Sequence, residues 1–346
     1  MRGLLRALTR AGHRAVCFEQ QHDWSVDNLL LEGDVGARSL EQYHQTYPDF
    51  PVQYFDASTD LVQALRDFDV VVVHEWNSPE WIGQILDAAA HCGIRTLFHD
   101  THHRASSSPE AIRRLQVARF DGVIAFGRAL EQIYRRDFAL DHVYVLHEAA
   151  DTSIFHPPAA ENAPHKTTDV VWVGNWGDDE RSREIRTFLL EPAAALVDRR
   201  FTLYGVRYPE HALTALAEAG VRYAGYLPNL EAPRAYAAAR LTLHIPRQQY
   251  TGAMTGIPTI RVFEALACGI PLISAPWQDT EQLFRPGDFL FVHSGDEMRD
   301  RMQSLLDHPE EAQKQADRGR ETVLARHTCD HRATELLHIC NEVMHK

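Results

Sequence analysis

The segment Arg261–Ser274, RVFEALACGIPLIS, restricts the fold more than any other: a short amphipathic helix is stopped by a glycine and followed at once by an apolar strand. Ile260, Phe263, Leu266 and Ala267 recur at helical spacing, as a face packed on a sheet requires. Gly269 supplies the left-handed cap, and Pro271 keeps the helix from resuming. A helix that leads this directly into a buried strand is a building unit of α/β sheets. One acid, Glu264, stands inside the apolar unit, where a carboxylate needs a partner. A sugar hydroxyl would serve, and so would Arg261 at i,i+3.

The preceding loop, Thr251–Pro258 (TGAMTGIP), consists mostly of small residues and runs into that helix, with Pro258 suited to its first turn. Such a loop, here around Thr255 and Gly256, presents free N–H groups and a positive dipole end to an anion. A phosphate at the loop and a ribose hydroxyl on Glu264, one turn deeper, would together describe a nucleotide diphosphate site.

The first half of the chain repeats the α/β alternation. Apolar strands are predicted at Asp69–His74, Arg95–His99, Gly122–Phe126 and His142–Leu146. Helices are predicted at Trp81–His91 (capped by Gly93), Glu110–Arg119 and Arg128–Arg136. This order predicts a parallel sheet, and the run DVVVVH reads as a strand buried on both faces. Nearer the start, Leu4, Leu5, Leu8 and Ala11 make an amphipathic helix ended by Gly12, followed by a strand at Arg14–Phe18. A doubly wound domain begins with a strand and a glycine-rich turn, so the first strand of this domain is expected to lie upstream of the sequence given.

At the carboxyl end of the RTLFH strand, where ligands sit in open α/β sheets, lies His99-Asp100-Thr101-His102-His103-Arg104. His102, with Asp100 or His103, can move protons and hold oxyanions. The spacing matches no closed zinc signature, so no metal is assigned. Some of the 20 histidines are expected to be ordinary surface residues. His74-Glu75-Trp76 ends the preceding strand and would line the same cleft as Arg104, with Trp76 a platform for a sugar face.

The second half restarts the pattern with Asp169–Val173, then Gly174-Asn175-Trp176-Gly177-Asp178-Asp179, a loop able to approach phosphates closely. Strands follow at Phe201–Tyr204 and Leu241–Ile245. Arg247 and Arg261 are the candidate diphosphate contacts, since a guanidinium matches phosphate oxygens and stays charged. Arg181, Arg183 and Arg186 read as a solvated helix face. Farther on, Asp279 is a candidate cap for a helix starting at Thr280. Helices are predicted at Asp296–Asp307 and Glu310–Ala325, with a last one from Thr328 or Asp330.

Composition sets the outer bounds. A chain of 346 residues, 45% hydrophobic, suggests two domains. The net charge of −13 disfavours nucleic-acid and anionic-membrane partners, and no apolar run approaches transmembrane length. The five cysteines form no CxxC pair and suit a reducing, cytoplasmic setting.

Taken in order, VVWVGNWGDD (170–179), GYLP (225–228), RVFEALACG, QLFRPGD (282–288) and HTCDHRATELL (327–337) resemble the GT-B glycosyltransferases, and more narrowly the CgeB-like branch of the family-4-like enzymes. The stretch HEAADTSIFHPP (147–158) resembles the linker entering the second GT-B domain, with Asp151 capping a turn and Phe155 anchoring the hinge. The resemblance implies two Rossmann-like doubly wound domains: an acceptor domain at 1–150, a donor domain at 151–326, and a terminal helix at 327–346 returning to the first. It implies transfer from a nucleotide-diphosphate sugar to a sugar, glycan or small-molecule acceptor, without metal or cofactor. Glu264 would hold the ribose, and the loop bearing Tyr226 would face the base. Many family-4 enzymes carry a second glutamate where this chain has Gly256, which leaves the donor sugar open. A GT-B-fold epimerase or hydrolase, and a non-catalytic sugar-nucleotide-binding protein, are the alternatives.

Overall fold

The computed structural model describes residues 2–345 apart from 22–23, 49 and 178–179. Among the described residues, twelve strands form three parallel sheets: β1 (Cys17–Gln20), β2 (Val52–Phe55), β3 (Val70–His74), β4 (Arg95–Asp100), β5 (Gly122–Ala125), β6 (Val143–Val145), β7 (Thr168–Val173), β8 (Phe201–Tyr204), β9 (Val221–Tyr223), β10 (Ala239–His244), β11 (Leu272–Ser274) and β12 (Leu290–Phe291). β1 and β2 pair with each other, and β3-β4-β5-β6 run in sequence order. The third sheet has the order β12-β11-β10-β7-β8-β9. That last order reverses direction between β7 and β10, as in doubly wound dinucleotide-binding sheets.

Both larger sheets are covered on both faces, as parallel sheets require. In the first, Phe98 and Val123 face a core shared with Ile82, Ile112 and Leu130, while Leu97 and Ile124 face Leu4, Ala7, Ala333 and Leu336. The second face is therefore closed by the two ends of the chain, the helices Arg2–Arg10 and Cys329–Met344. In the other sheet, Val170 and Leu203 face Ile185, Leu189, Met302 and Leu306, and Val171 and Leu272 face Val262, Phe263 and Leu266.

Local signals explain several boundaries. Ser78 caps the helix Pro79–Cys92 by accepting from the Trp81 amide at 3.3 Å, and Gly93 ends it at φ 70°. Gly269, at φ 67°, ends the helix Ile260–Ala267. The chain crosses between halves where the Ala150 amide donates to His327 O at 3.0 Å and the Cys329 amide to Ala150 O at 3.1 Å. Thr328 then caps the final helix, Asp151 accepts from Ser153, and Phe155 is buried.

Several expectations are corrected. β1 starts at Cys17 rather than Arg14. β3 is an edge strand of its sheet, so Val73 is buried but Val70–Val72 only partly so. The helix expected at Glu110–Arg119 is broken: Ile112, Leu115 and Val117 are all buried, a spacing no single helical face offers, and Gln116 turns at φ 55°. Ile260 is 38% exposed, and the buried run is Val262–Ala267. Pro258 lies before the cap residue Thr259. No helix starts at Thr280: Asp279 instead accepts from the amides of Leu283 and Phe284, both at 2.9 Å, and folds a turn that buries Trp277, Leu283 and Phe284 together.

Candidate functional site

In an open α/β sheet the crevice for ligands opens at the carboxyl ends of the strands, where the order reverses. Here that point lies between β7, which runs into Gly174 and Asn175, and β10, which runs into Ile245 and Arg247. The loop after β7 is held from its neighbour: Tyr208 OH donates to Gly174 O at 2.7 Å, and the Val206 amide donates to Asn175 Oδ1 at 3.1 Å. Gly205 must be glycine, because a Cβ there would stand 2.1 Å from Gly174 O. Asp178 and Asp179 lie outside the described residues.

Arg181 is not part of a solvated face; it is 8% exposed and bridges the reversal itself. Its guanidinium donates to the carbonyls of Asn175, after β7, and Ile245, after β10, and lies 5.1 Å over the Trp172 ring. Its Nε is buried without a hydrogen-bond partner, and among the described residues no carboxylate forms an ion pair with it. Burial, reinforced by the Arg247 cation, lowers its pKa from 12.5 to about 10. Arg183 and Arg186 are exposed, as expected. Arginine spacing gave no sign of the difference, which arises because Arg181 precedes the helix and turns under the loop.

Arg247 is paired with Glu180, whose second oxygen lies 3.8 Å from His103 Nε2. Through Glu180 the donor-side loops meet the histidine loop of the first half. Glu75, fully buried, organises that loop: it accepts from the Thr101 amide at 3.0 Å and from Arg104 Nη2 at 2.7 Å, and its own carbonyl accepts from the same nitrogen at 2.9 Å. Asp100 is also fully buried; it accepts from Tyr134 OH at 2.6 Å and from the His102 amide at 2.9 Å. Burial and then the Glu75 carboxylate hold its pKa well above the usual range. Both oxygens being occupied, Asp100 positions the His102 backbone.

The His102 and His103 ring centroids lie 4.1 Å apart with the planes tilted by 32°, and His103 Nδ1 is 2.8 Å from Ser107 Oγ. Burial, then the His103 charge, depresses His102 to about 4; burial also lowers His103. His74 and His99 pack edge to face behind them at 5.3 Å and are depressed by burial to about 4 and 3. At neutral pH the loop therefore offers uncharged imidazoles, suited to accept a proton.

A second group lies on the far side of the donor sheet. Glu264, 2% exposed, is paired with Arg261 at 2.5 Å, so both readings of Glu264 involve a carboxylate already held by a cation. Tyr226 is half-buried; burial raises its hydroxyl pKa, and the Arg261 charge partly offsets this. Sequence reasoning missed Glu148 in the linker. Burial raises its pKa and the neighbouring Glu264 carboxylate adds to the effect. Its place beside Glu264 depends on the interdomain crossing, which no local pattern encodes. Thr255 and Gly256 lie on the turn against Thr280 and Glu281. The next residue, Ile257, packs so closely on Gly127 of the first half that a Cβ there would be 2.4 Å from it. Among the described residues, no hydrogen bond or ion pair joins this second group to Arg181 and Arg247.

Residues 181–338 match the model of a family described as glycosyl transferase-like. Comparison with curated protein sequences gives no match. Solved structures share the whole architecture at low identity. Anabaena Alr3699/HepE in complex with UDP-glucose is 15% identical, with 99% of this chain and 96% of that one aligned and a TM-score of 0.70. A sucrose-phosphate synthase from Thermosynechococcus elongatus is 16% identical over 99% and 92%, with a TM-score of 0.65. A glycosyltransferase from Rickettsia africae ESF-5 is 12% identical over 99% and 93%, also at 0.65. The chain has the GT-B fold, and its second half carries a glycosyl transferase-like sequence.

Proposed function

We propose that this chain is a glycosyltransferase that moves a sugar from a nucleotide-diphosphate donor to a hydroxyl acceptor. The observation that carries this reading is Arg181: a cation buried at the sheet reversal with no ion-pair partner among the described residues, beside Arg247 and facing uncharged histidines from the other half. A donor diphosphate would bring its anion to both arginines, displacing Glu180 from Arg247, and both guanidinium groups would stabilise the charge that develops as the sugar departs. Because these cations do that work, no metal is assigned. Gly174 and Asn175 would approach the phosphates. Glu264, oriented by Arg261, would accept from the ribose hydroxyls, with Tyr226 toward the base and Thr255 and Gly256 closing the turn. His102 would take the acceptor proton, braced by Asp100 and His103, with Trp76, Glu75 and Arg104 on the acceptor side.

In this reading 1–150 is the acceptor domain, 151–326 the donor domain and 327–346 the returning helix. The sugar is a hexose, the branch CgeB-like and the setting cytoplasmic. The free state of all five cysteines supports the last point, and no helix among the described residues is long and apolar enough to cross a membrane.

Titration of the purified chain with UDP, GDP, ADP and dTDP, followed by thermal unfolding, tests the reading, since a ligand of the folded state raises the midpoint by mass action. A selective rise with one nucleotide, reduced in Glu264→Gln and in Arg247→Ala, is expected. No rise with any of the four rejects it.

A further inference from the structure

Trp76 follows Glu75 at the end of β3 and is 63% exposed, yet it is braced. The Arg104 guanidinium lies 4.4 Å over its ring, and the His102 imidazole packs T-shaped against it at 5.4 Å and 71°. Arg104 is anchored in turn by its bonds to the buried Glu75 carboxylate and to the Glu75 carbonyl. The ring is thus fixed before any ligand arrives, and the ordering entropy is spent on folding rather than on binding. Arg104 and His102 hold the ring, and the surface it leaves exposed lies directly beside the candidate base.

The surroundings narrow what that surface can take. Arg104 is neutralised by Glu75, so the platform offers little net attraction for a phosphorylated acceptor. Its neighbours Glu75, His102 and Arg104 are polar, so it does not continue into an apolar groove for an acyl chain. A pyranose ring suits it: axial C–H groups form a flat apolar face for the indole, and the hydroxyl rim reaches the polar neighbours.

We propose that Trp76 is the acceptor platform and that the acceptor is a pyranoside, stacked by its C–H face on the indole with one hydroxyl at His102. The proposal rests on the transferase reading above and adds the acceptor class.

The test labels the full chain with 5-fluorotryptophan and identifies the Trp76 resonance as the one missing from Trp76→Phe. Cellobiose and chitobiose are titrated with and without saturating UDP, alongside N-acetylserinamide and glycerol 3-phosphate. The disaccharides are expected to move the Trp76 resonance and the other two probes to leave it in place. Calorimetry should show about tenfold weaker disaccharide binding in Trp76→Ala, equivalent to about 1.4 kcal/mol, with the UDP response retained. A Trp76 resonance unmoved by both disaccharides, or moved only by the serine or glycerol probe, overturns the platform; if UDP still stabilises the chain, the transferase reading survives. Disaccharide shifts without any nucleotide binding would uphold the platform and overturn the transferase reading.

Discussion

Replacing Arg181 by methionine separates a structural strut from a ligand contact. The fall in its pKa from 12.5 to about 10 corresponds to roughly 3 kcal/mol of penalty on the charged form. Its bonds to the Asn175 and Ile245 carbonyls return about 1.5–3 kcal/mol each as charge-assisted contacts. These terms nearly cancel, and methionine fills similar space over Trp172. The folded chain is therefore expected to stay within about 2 kcal/mol of wild type in urea unfolding. Binding should respond differently: losing one charge-assisted phosphate contact weakens a nucleoside diphosphate about 10- to 150-fold. At a UDP concentration 100 times the wild-type Kd, stabilisation is about 2.7 kcal/mol. A roughly 30-fold weaker variant keeps only about 0.9 kcal/mol at that concentration. Parallel urea titrations of both proteins, with and without UDP, read both quantities. An Arg181→Met chain destabilised by more than about 4 kcal/mol, or one stabilised by UDP as well as wild type, would refute the reasoning.

Three further outcomes are expected. Buried neutral histidines make stability depend on pH: His74 and His102 are lowered to about 4, and His99 and His244 to about 3. The unfolded chain binds the extra protons, so stability is fullest above about pH 6.5 and falls as pH drops toward 3–4, by up to about 1.4 kcal/mol per unit for each; equal urea midpoints at pH 7.5 and 5 would contradict this. Tyr134→Phe removes the 2.6 Å donor to buried Asp100 and should cost about 1–3 kcal/mol, read as a lower thermal midpoint. Gly256→Ala places a Cβ 2.2 Å from Thr280 Oγ1 at φ +90° and should cost about 1–3 kcal/mol, checked by chemical denaturation.

Much of the fold was legible because it depends on local signals. Caps at Gly93, Gly269 and Thr328 fix element ends, and strand runs such as DVVWV mark sheet positions by composition alone. Errors fell where burial, rather than period, set the backbone: Gln116, the Asp279 turn and the edge position of β3. The candidate site was half legible. The His99–Arg104 loop and the Arg261–Glu264 pair were both found from residue type and from position at a strand end or in a helix. Arg181 and Glu148 were missed, because neither residue type nor spacing distinguishes a buried charge from a solvated one.

The sequence by itself determined the α/β class and most of the order of the elements, since caps, turns and apolar periods act over a few residues. Only the tertiary structure decided that the third sheet reverses between β7 and β10, that Arg181 spans that reversal, and that His103 meets Glu180 across the halves. Those are contacts between segments far apart in the chain, and they depend on how whole layers pack rather than on any neighbour in sequence.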